Sequence, residues 1–115
     1  MANTFKVITK AGVTSADVIY TVAGSTTTII LGLLIGNTTS SAITSSVTLG
    51  TSTTNRAGNN DEANQSVELI TSAAIPANSS LELMAGNKIV METTDTLSVT
   101  GSGAVDIALS IMEMT

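Results

Sequence analysis

Residues able to do chemistry are few in this chain, and their spacing works against it. The chain has no histidine and no cysteine. That removes the commonest general base, the commonest zinc ligand, the Ser-His-Asp triad, thiolate metal sites and disulfides together. Asp61 and Glu62 are adjacent carboxylates, and a carboxylate pair can act as acid and base in glycoside hydrolysis. Neighbours in sequence rarely point at one substrate, and no aromatic side chain stands near them to hold a sugar, so they read as a solvated loop. Asn59, Asn60, Asp61 and Glu62 have oxygens to offer Ca²⁺, but the spaced D-x-D-x-D-G pattern of a loop site is missing. Hydroxyls are plentiful and Lys6, Lys10 or Lys88 could activate one, yet no G-x-S-x-G context presents a nucleophile. Gly101-Ser102-Gly103 is followed by a strand pattern rather than by the helix and lysine of a phosphate loop, and reads as a β-turn. The expectation is a non-enzymatic chain with no catalytic, cofactor-binding or metal-binding residue.

The elements around these residues are strands. The chain is organised around TTIILGLLIGN, Thr27–Asn37, its most apolar stretch. Roughly 20 apolar residues are needed to span a bilayer, so this run is too short. Its isoleucines and the threonines before it favour a pleated strand. Strict alternation puts Ile29, Leu31, Leu33 and Ile35 on the core face. Gly32, Gly36, Ile30 and Leu34 fall on the other, where another backbone or a neighbouring subunit can come close.

Period-2 patterns recur along the rest of the chain. Strands are predicted over Thr4–Lys10, Asp17–Val22, Ile43–Leu49, Ser66–Ser72, Leu81–Met84, Lys88–Glu92, Leu97–Val99 and Ala104–Met114, with Gly, Asn, Ser and Pro76 turns between them. Thr27–Asn37 and Ile43–Leu49 are expected to form a hairpin, and Gly86-Asn87 is expected to close another. The core should add Val47, Leu49, Val99, Val105, Ile107 and Leu109. The fold class predicted is all-β: a single-domain antiparallel β-sandwich over residues 1–115, jelly-roll-like, with eight to nine short strands. A long polar loop, GTSTTNRAGNNDEANQ, covers residues 50–65. It has no apolar anchor, so it is expected to be mobile or held by a partner, with Arg56, Asn59, Asn60 and Asp61 as candidate partner contacts. Met112 and Met114 lie opposite Leu109 and Ile111 on the last strand. They are either filling between two sheets or a further partner contact.

Composition points the same way. Only 11% of residues are charged, and 20 Thr, 14 Ser and 8 Asn supply the polar surface. A hydroxyl-covered, weakly charged chain suits a subunit packed against others, so a homo-oligomer is expected. Net charge is −5 with four Lys and Arg in all, which leaves no basic patch for nucleic acid. The N-terminal MANTFKVITK has no hydrophobic segment of signal-peptide length, and no membrane-spanning run appears.

The second half, AIPANSSLELMAGNKIVMETTDTLSVTGSGAVDIALSIMEMT, resembles the C-terminal half of small accessory structural proteins of tailed bacteriophages. Ile75-Pro76-Ala77, Leu81–Leu83, Gly86, Lys88–Met91, Asp95, Leu97–Val99 and Val105-Asp106 occupy the places of that pattern of strands and turns. IYTVAGSTTTIILGLLIGNTTSSAITSSVTL is similar to the opening of those proteins, with Ala23 where their usual proline would stand. The resemblance covers residues 17–115. It implies a virion β-sandwich made in the host cytoplasm: a capsid decoration or cement subunit binding the major capsid protein. The alternatives it leaves are a neck, collar or tail accessory, or a host-facing fibre module. A trimer is expected at capsid three-fold positions and a ring at the neck.

Overall fold

Nine strands and no helix make up the regular structure among the described residues, 2–51, 64–84 and 86–115 of the computed structural model. They are β1 (Asn3–Val13), β2 (Asp17–Thr21), β3 (Thr27–Asn37), β4 (Ile43–Gly50), β5 (Val67–Ile75), β6 (Ser80–Leu83), β7 (Ile89–Met91), β8 (Thr96–Gly101) and β9 (Val105–Met114). They form two antiparallel sheets. The first runs β1-β9-β3-β6, with β7 beside β6 on the same edge of β3, and the second runs β2-β8-β4-β5.

The pairing follows one rule. Asn3 faces Met114, Asp17 faces Val99, Leu33 faces Leu83 and Ile43 faces Ile75. The chain is therefore one long antiparallel ribbon that doubles back between β4 and β5. Its successive strand pairs go to alternate sheets: β1 with β9, then β2 with β8, then β3 with β6 and β7, then β4 with β5. A ribbon of four such pairs wrapped into two sheets is a jelly roll, the predicted β-sandwich in its specific form.

Alternation selects the core. On β9, Val105, Ile107, Leu109 and Ile111 are buried while Asp106 and Ser110 are exposed. Val47 on β4 and Leu97 and Val99 on β8 meet them from the second sheet, with Ile75 and Met91 completing the interior. Leu49, expected in the core, is half-buried.

β3 has the predicted ends but not the predicted core face. Ile30 lies opposite Ile111 and Gly32 opposite Ser110, so β3 carries one residue more than β9 there. Leu31 is that extra residue. A bulge of this kind reverses the face taken by every later side chain. Thr28 and Ile30 point inward before it; Leu33, Ile35 and Asn37 do so after it. Leu33 and Ile35 are core residues as expected. Ile29 and Leu31 are only half-buried, and Ile30 takes their place in the interior.

Two expected hairpins are also corrected. β3 and β4 belong to different sheets, because the β3–β4 turn is a crossing between layers rather than a hairpin. β6 and β7 do not pair with each other. Both run antiparallel to β3, one on each side of a break where Met84 (φ 62°) and Gly86 (φ 89°) are left-handed. β5 continues through Ala73 and Ala74, predicted as turn, to Ile75, whose buried side chain anchors it. β1 likewise extends past Lys10 to Val13, through a register shift at left-handed Gly12.

Candidate functional site

The two sheets present differently dressed outer faces. On the first, Phe5 of β1 is in register with Met112 of β9, Met112 with Ile29 of β3, and Ile29 with Val90 of β7. These four apolar residues cross the whole sheet in one row, about 14 Å long at standard strand spacing. Beside the row stand Val7, opposite Ser110, and Leu34, opposite Ala108. Phe5 is 70% exposed, Val7 63%, Val90 56% and Leu34 41%. No described element packs over them.

The glycines predicted to allow close approach sit on this face. A Cβ at Gly32 would meet nothing within 4 Å, and one at Gly36 would meet only the Asp106 carbonyl at 3.7 Å. Met112 and Met114 are here too, half-buried on the outer side of β9. They are therefore not filling between the sheets. Of the residues paired in register on this face, Glu82, opposite Leu34, and Asp106, opposite Gly36, are charged, and both are exposed.

The second sheet is covered in hydroxyls. Ser98 of β8 lies opposite Thr48 of β4, and Thr100 opposite Ser46. Val18 and Glu68 flank the first of these rows on the neighbouring strands. Small polar side chains satisfy a solvated sheet face, and Val18 and Val67 are the large apolar residues exposed on this sheet.

A polar cluster, not anticipated from the sequence, fixes β1 at one end of the sandwich. Lys6 Nζ lies 2.6 Å from Glu113 Oε1. The Tyr20 hydroxyl donates to Glu113 Oε2 at 2.5 Å. Its single proton is then committed, so Thr28 Oγ1, 2.7 Å away, donates to the Tyr20 oxygen. Burial, with the bond to Glu113, pushes the Tyr20 hydroxyl up to about 12. The Lys6 ammonium and then the Tyr20 hydroxyl hold the Glu113 carboxyl below the usual range. Lys10 reaches Asp17 of β2 at 3.2 Å. One signal was available beforehand: Tyr20 is the only tyrosine and Glu113 the only charge in β9's apolar C-terminal half. The partner strands were not.

Arg56, Asn59, Asn60 and Asp61 lie outside the described residues. Among the described residues there is no enclosed cavity and no cluster of three acidic side chains that could hold a metal. No helix is long and apolar enough to cross a membrane.

No family model matches the chain, and no curated protein matches it in sequence. Solved structures that overlay on it include the endospore appendages of Bacillus, described as disulfide-linked pili. There the identity is 16%, 97% of this chain and 84% of that one are covered, and the TM-score is 0.49. The T13 IBDV viral particle overlays at 8% identity and a TM-score of 0.49, over 96% of this chain and 35% of the other. The Gx strain of infectious bursal disease virus does so at 10% and 0.38, over 98% and 37%. At such identities and scores these likenesses carry no functional argument, and the reading below rests on the chain's own residues.

Proposed function

We propose that this chain is a non-enzymatic structural subunit of a tailed-phage virion, a decoration or cement protein that binds the assembled capsid shell. The observation that carries the reading is the uncovered apolar row Phe5–Met112–Ile29–Val90 on a sheet whose face is otherwise small and weakly charged. A contiguous apolar sheet face of this kind marks a protein-contact surface. By standard strand spacing and rise the face measures roughly 19 by 33 Å, about 600 Å² in projection, which approaches one side of a standard protein interface. The strand-and-turn resemblance over residues 17–115 points to phage accessory proteins as the class. Repetition on a symmetric shell multiplies a modest contact through avidity.

The test is imaging of purified particles carrying labelled protein, with release followed across a salt series. Label spread over the shell and retention from low to high salt are expected, because an uncharged interface is barely screened. Label confined to the portal end would move the placement to neck or tail. Protein that never co-purifies with particles, or is shed by moderate salt, would overturn the structural reading.

A further inference from the structure

The sandwich has four exposed sheet edges, and three of them are broken. The β6–β7 edge is interrupted by left-handed Met84 and Gly86. β2 is five residues long and shifts register at Ile19. β5 shifts register twice against β4 and carries left-handed Ser72. Bulges, breaks and short strands are how sheet edges avoid pairing with other chains. β1 lacks them over Asn3–Lys10, eight residues in unbroken register with β9.

The direction of its backbone groups follows from one pair. Ala2 and Thr115 exchange both backbone hydrogen bonds. In an antiparallel ladder such pairs recur at every second residue, so the even-numbered residues of β1 bond to β9. The N–H and C=O groups of Asn3, Phe5, Val7 and Thr9 consequently face the open edge. Phe5 and Val7 are also the most exposed large apolar residues among those described. The two lysines near this edge are each paired within the chain, Lys6 with Glu113 and Lys10 with Asp17, with both lysine side chains 51% exposed.

We infer that β1 is a pairing edge for a second copy of this chain, joined antiparallel about a two-fold axis through Lys6. This deepens the structural reading above and rests on it for its purpose. In this register Asn3 meets the second copy's Thr9, and Phe5 meets its Val7. All four open residues on each copy are satisfied by eight backbone hydrogen bonds. The occupant is a second copy because the edge is self-complementary: the same four residues supply both sides, and each large apolar side chain meets one. Lys6 faces its own counterpart, and each ammonium is held by its own Glu113 at 2.6 Å. The axis stands perpendicular to the sheet, so both apolar faces end on one side of a continuous double-width sheet. An isologous pair closes at two copies, unlike the trimer expected at capsid three-fold positions or the ring expected at the neck.

Sedimentation velocity over a concentration series, on the isolated chain, is the test. Wild type should show a monomer–dimer equilibrium. Val7→Pro removes an N–H that points to solvent in the monomer, so the fold should be kept, as judged by circular dichroism. Two seam hydrogen bonds are lost in the dimer, and the dissociation constant should rise about 30-fold. Val7→Lys, at an exposed position that tolerates any side chain, should also weaken the dimer and covers the case in which the proline variant misfolds. Lys6→Cys, in a chain with no other cysteine, should oxidise to a covalent dimer. A wild type that stays monomeric at every concentration overturns the inference, as does a dimer unaffected by either Val7 variant but abolished by Leu34→Asp. Particle occupancy is a separate readout: a monomeric wild type that still coats particles would refute the pairing edge and leave the structural role standing.

Discussion

Asn37→Asp tests whether the crossing between the two sheets is held by a single side chain. Asn37 is 2% exposed. Its Nδ2 donates to the carbonyls of Ser41, Ile75 and Pro76 at 2.8, 3.1 and 3.1 Å. Its Oδ1 accepts from Thr39 N at 2.9 Å and from Thr39 Oγ1 at 2.7 Å. One amide thus ties the end of β3 to the β3–β4 turn and to the β5–β6 turn. Aspartate keeps the oxygen facing Thr39 and sets a second, charged oxygen against three carbonyls. The Ile75 contact is the buried one of the three; the Pro76 carbonyl also accepts from Ser79 N and Ser79 Oγ, and the Ser41 carbonyl from Thr39 Oγ1. Removing the donor from the Ile75 carbonyl costs about 1–3 kcal/mol, against a total of roughly 5–15 kcal/mol for a domain this size. The expected fall in melting temperature is roughly 4–12 °C.

The same variant carries its own control in pH. Burial against carbonyl oxygens disfavours the charged form, so the new carboxyl has a folded pKa above its unfolded value of about 3.9. The folded state then binds the proton more tightly. The deficit relative to wild type is full at neutral pH and shrinks as pH falls through the folded pKa. Asn37→Ala loses the same donor without gaining a titrating group, so its deficit should not change with pH for this reason. Thermal melts of the three proteins at pH 7 and pH 4.5 make the comparison. Equal melting temperatures for wild type and Asn37→Asp, or a deficit that is the same at both pH values, would refute the role given to the Nδ2 donor.

Other expected outcomes can be checked singly. Leu33→Asp buries an unpaired charge at a site 1% exposed and should cost several kcal/mol, enough to unfold the domain; an unchanged melting curve would refute the placement of the core strand. Tyr20 should titrate near 12 in ultraviolet absorbance while folded and near 10 once unfolded, and Glu113→Gln should bring the folded value down. Its folded pKa is raised, so the stability it adds is complete below 10 and is lost as pH climbs toward 12. Glu113 has the opposite sign: its contribution is complete above the ordinary Glu range near 4.5 and is lost as pH falls through the lowered folded value, and Lys6→Ala should narrow that acid window. Leu34→Asp and Val90→Asp alter exposed positions, so melting should change little while particle occupancy falls at least ~10-fold; unchanged occupancy would remove the face from the interface.

Strand identity was legible because period-2 patterning is local: β3 begins and ends where the apolar run does, and β9 alternates as its sequence does. What was not legible depends on partners distant in the chain. The Leu31 bulge exists only relative to β9, so strict alternation placed Ile29 and Leu31 in the core instead of Ile30. A polar turn of five residues, Asn37–Ser41, looks the same whether it closes a hairpin or crosses between sheets. What decides is the buried Asn37 amide binding the carbonyls of Ile75 and Pro76, some forty residues away. Of the candidate contacts, Met112 and Met114 were placed on the correct side of β9, but nothing local said whether that side met solvent or the second sheet.

The molecule supplies its own comparison for the meaning of its apolar face. Both sheets have four-strand width, the same inward core and outer positions that alternation leaves free. On the second sheet most of those positions hold Thr or Ser, among them Ser46, Thr48, Ser98 and Thr100, and the sheet folds with them. Hydroxyl side chains are therefore sufficient for a solvated face of this jelly roll. Folding did not require Phe5, Leu34, Val90 or Met112 at the equivalent positions of the first sheet, because exposed outward residues add little to the core. In water such a row is a liability, and this chain lacks the dense surface charge that would offset it. The edges repeat the contrast: three are blunted and β1 is not. Face and edge meet at Phe5 and Val7, which belong to both. A second copy on β1 would cover Phe5 and Val7 from the side and widen the row they begin, so pairing along the edge would make the face a broader surface for the shell.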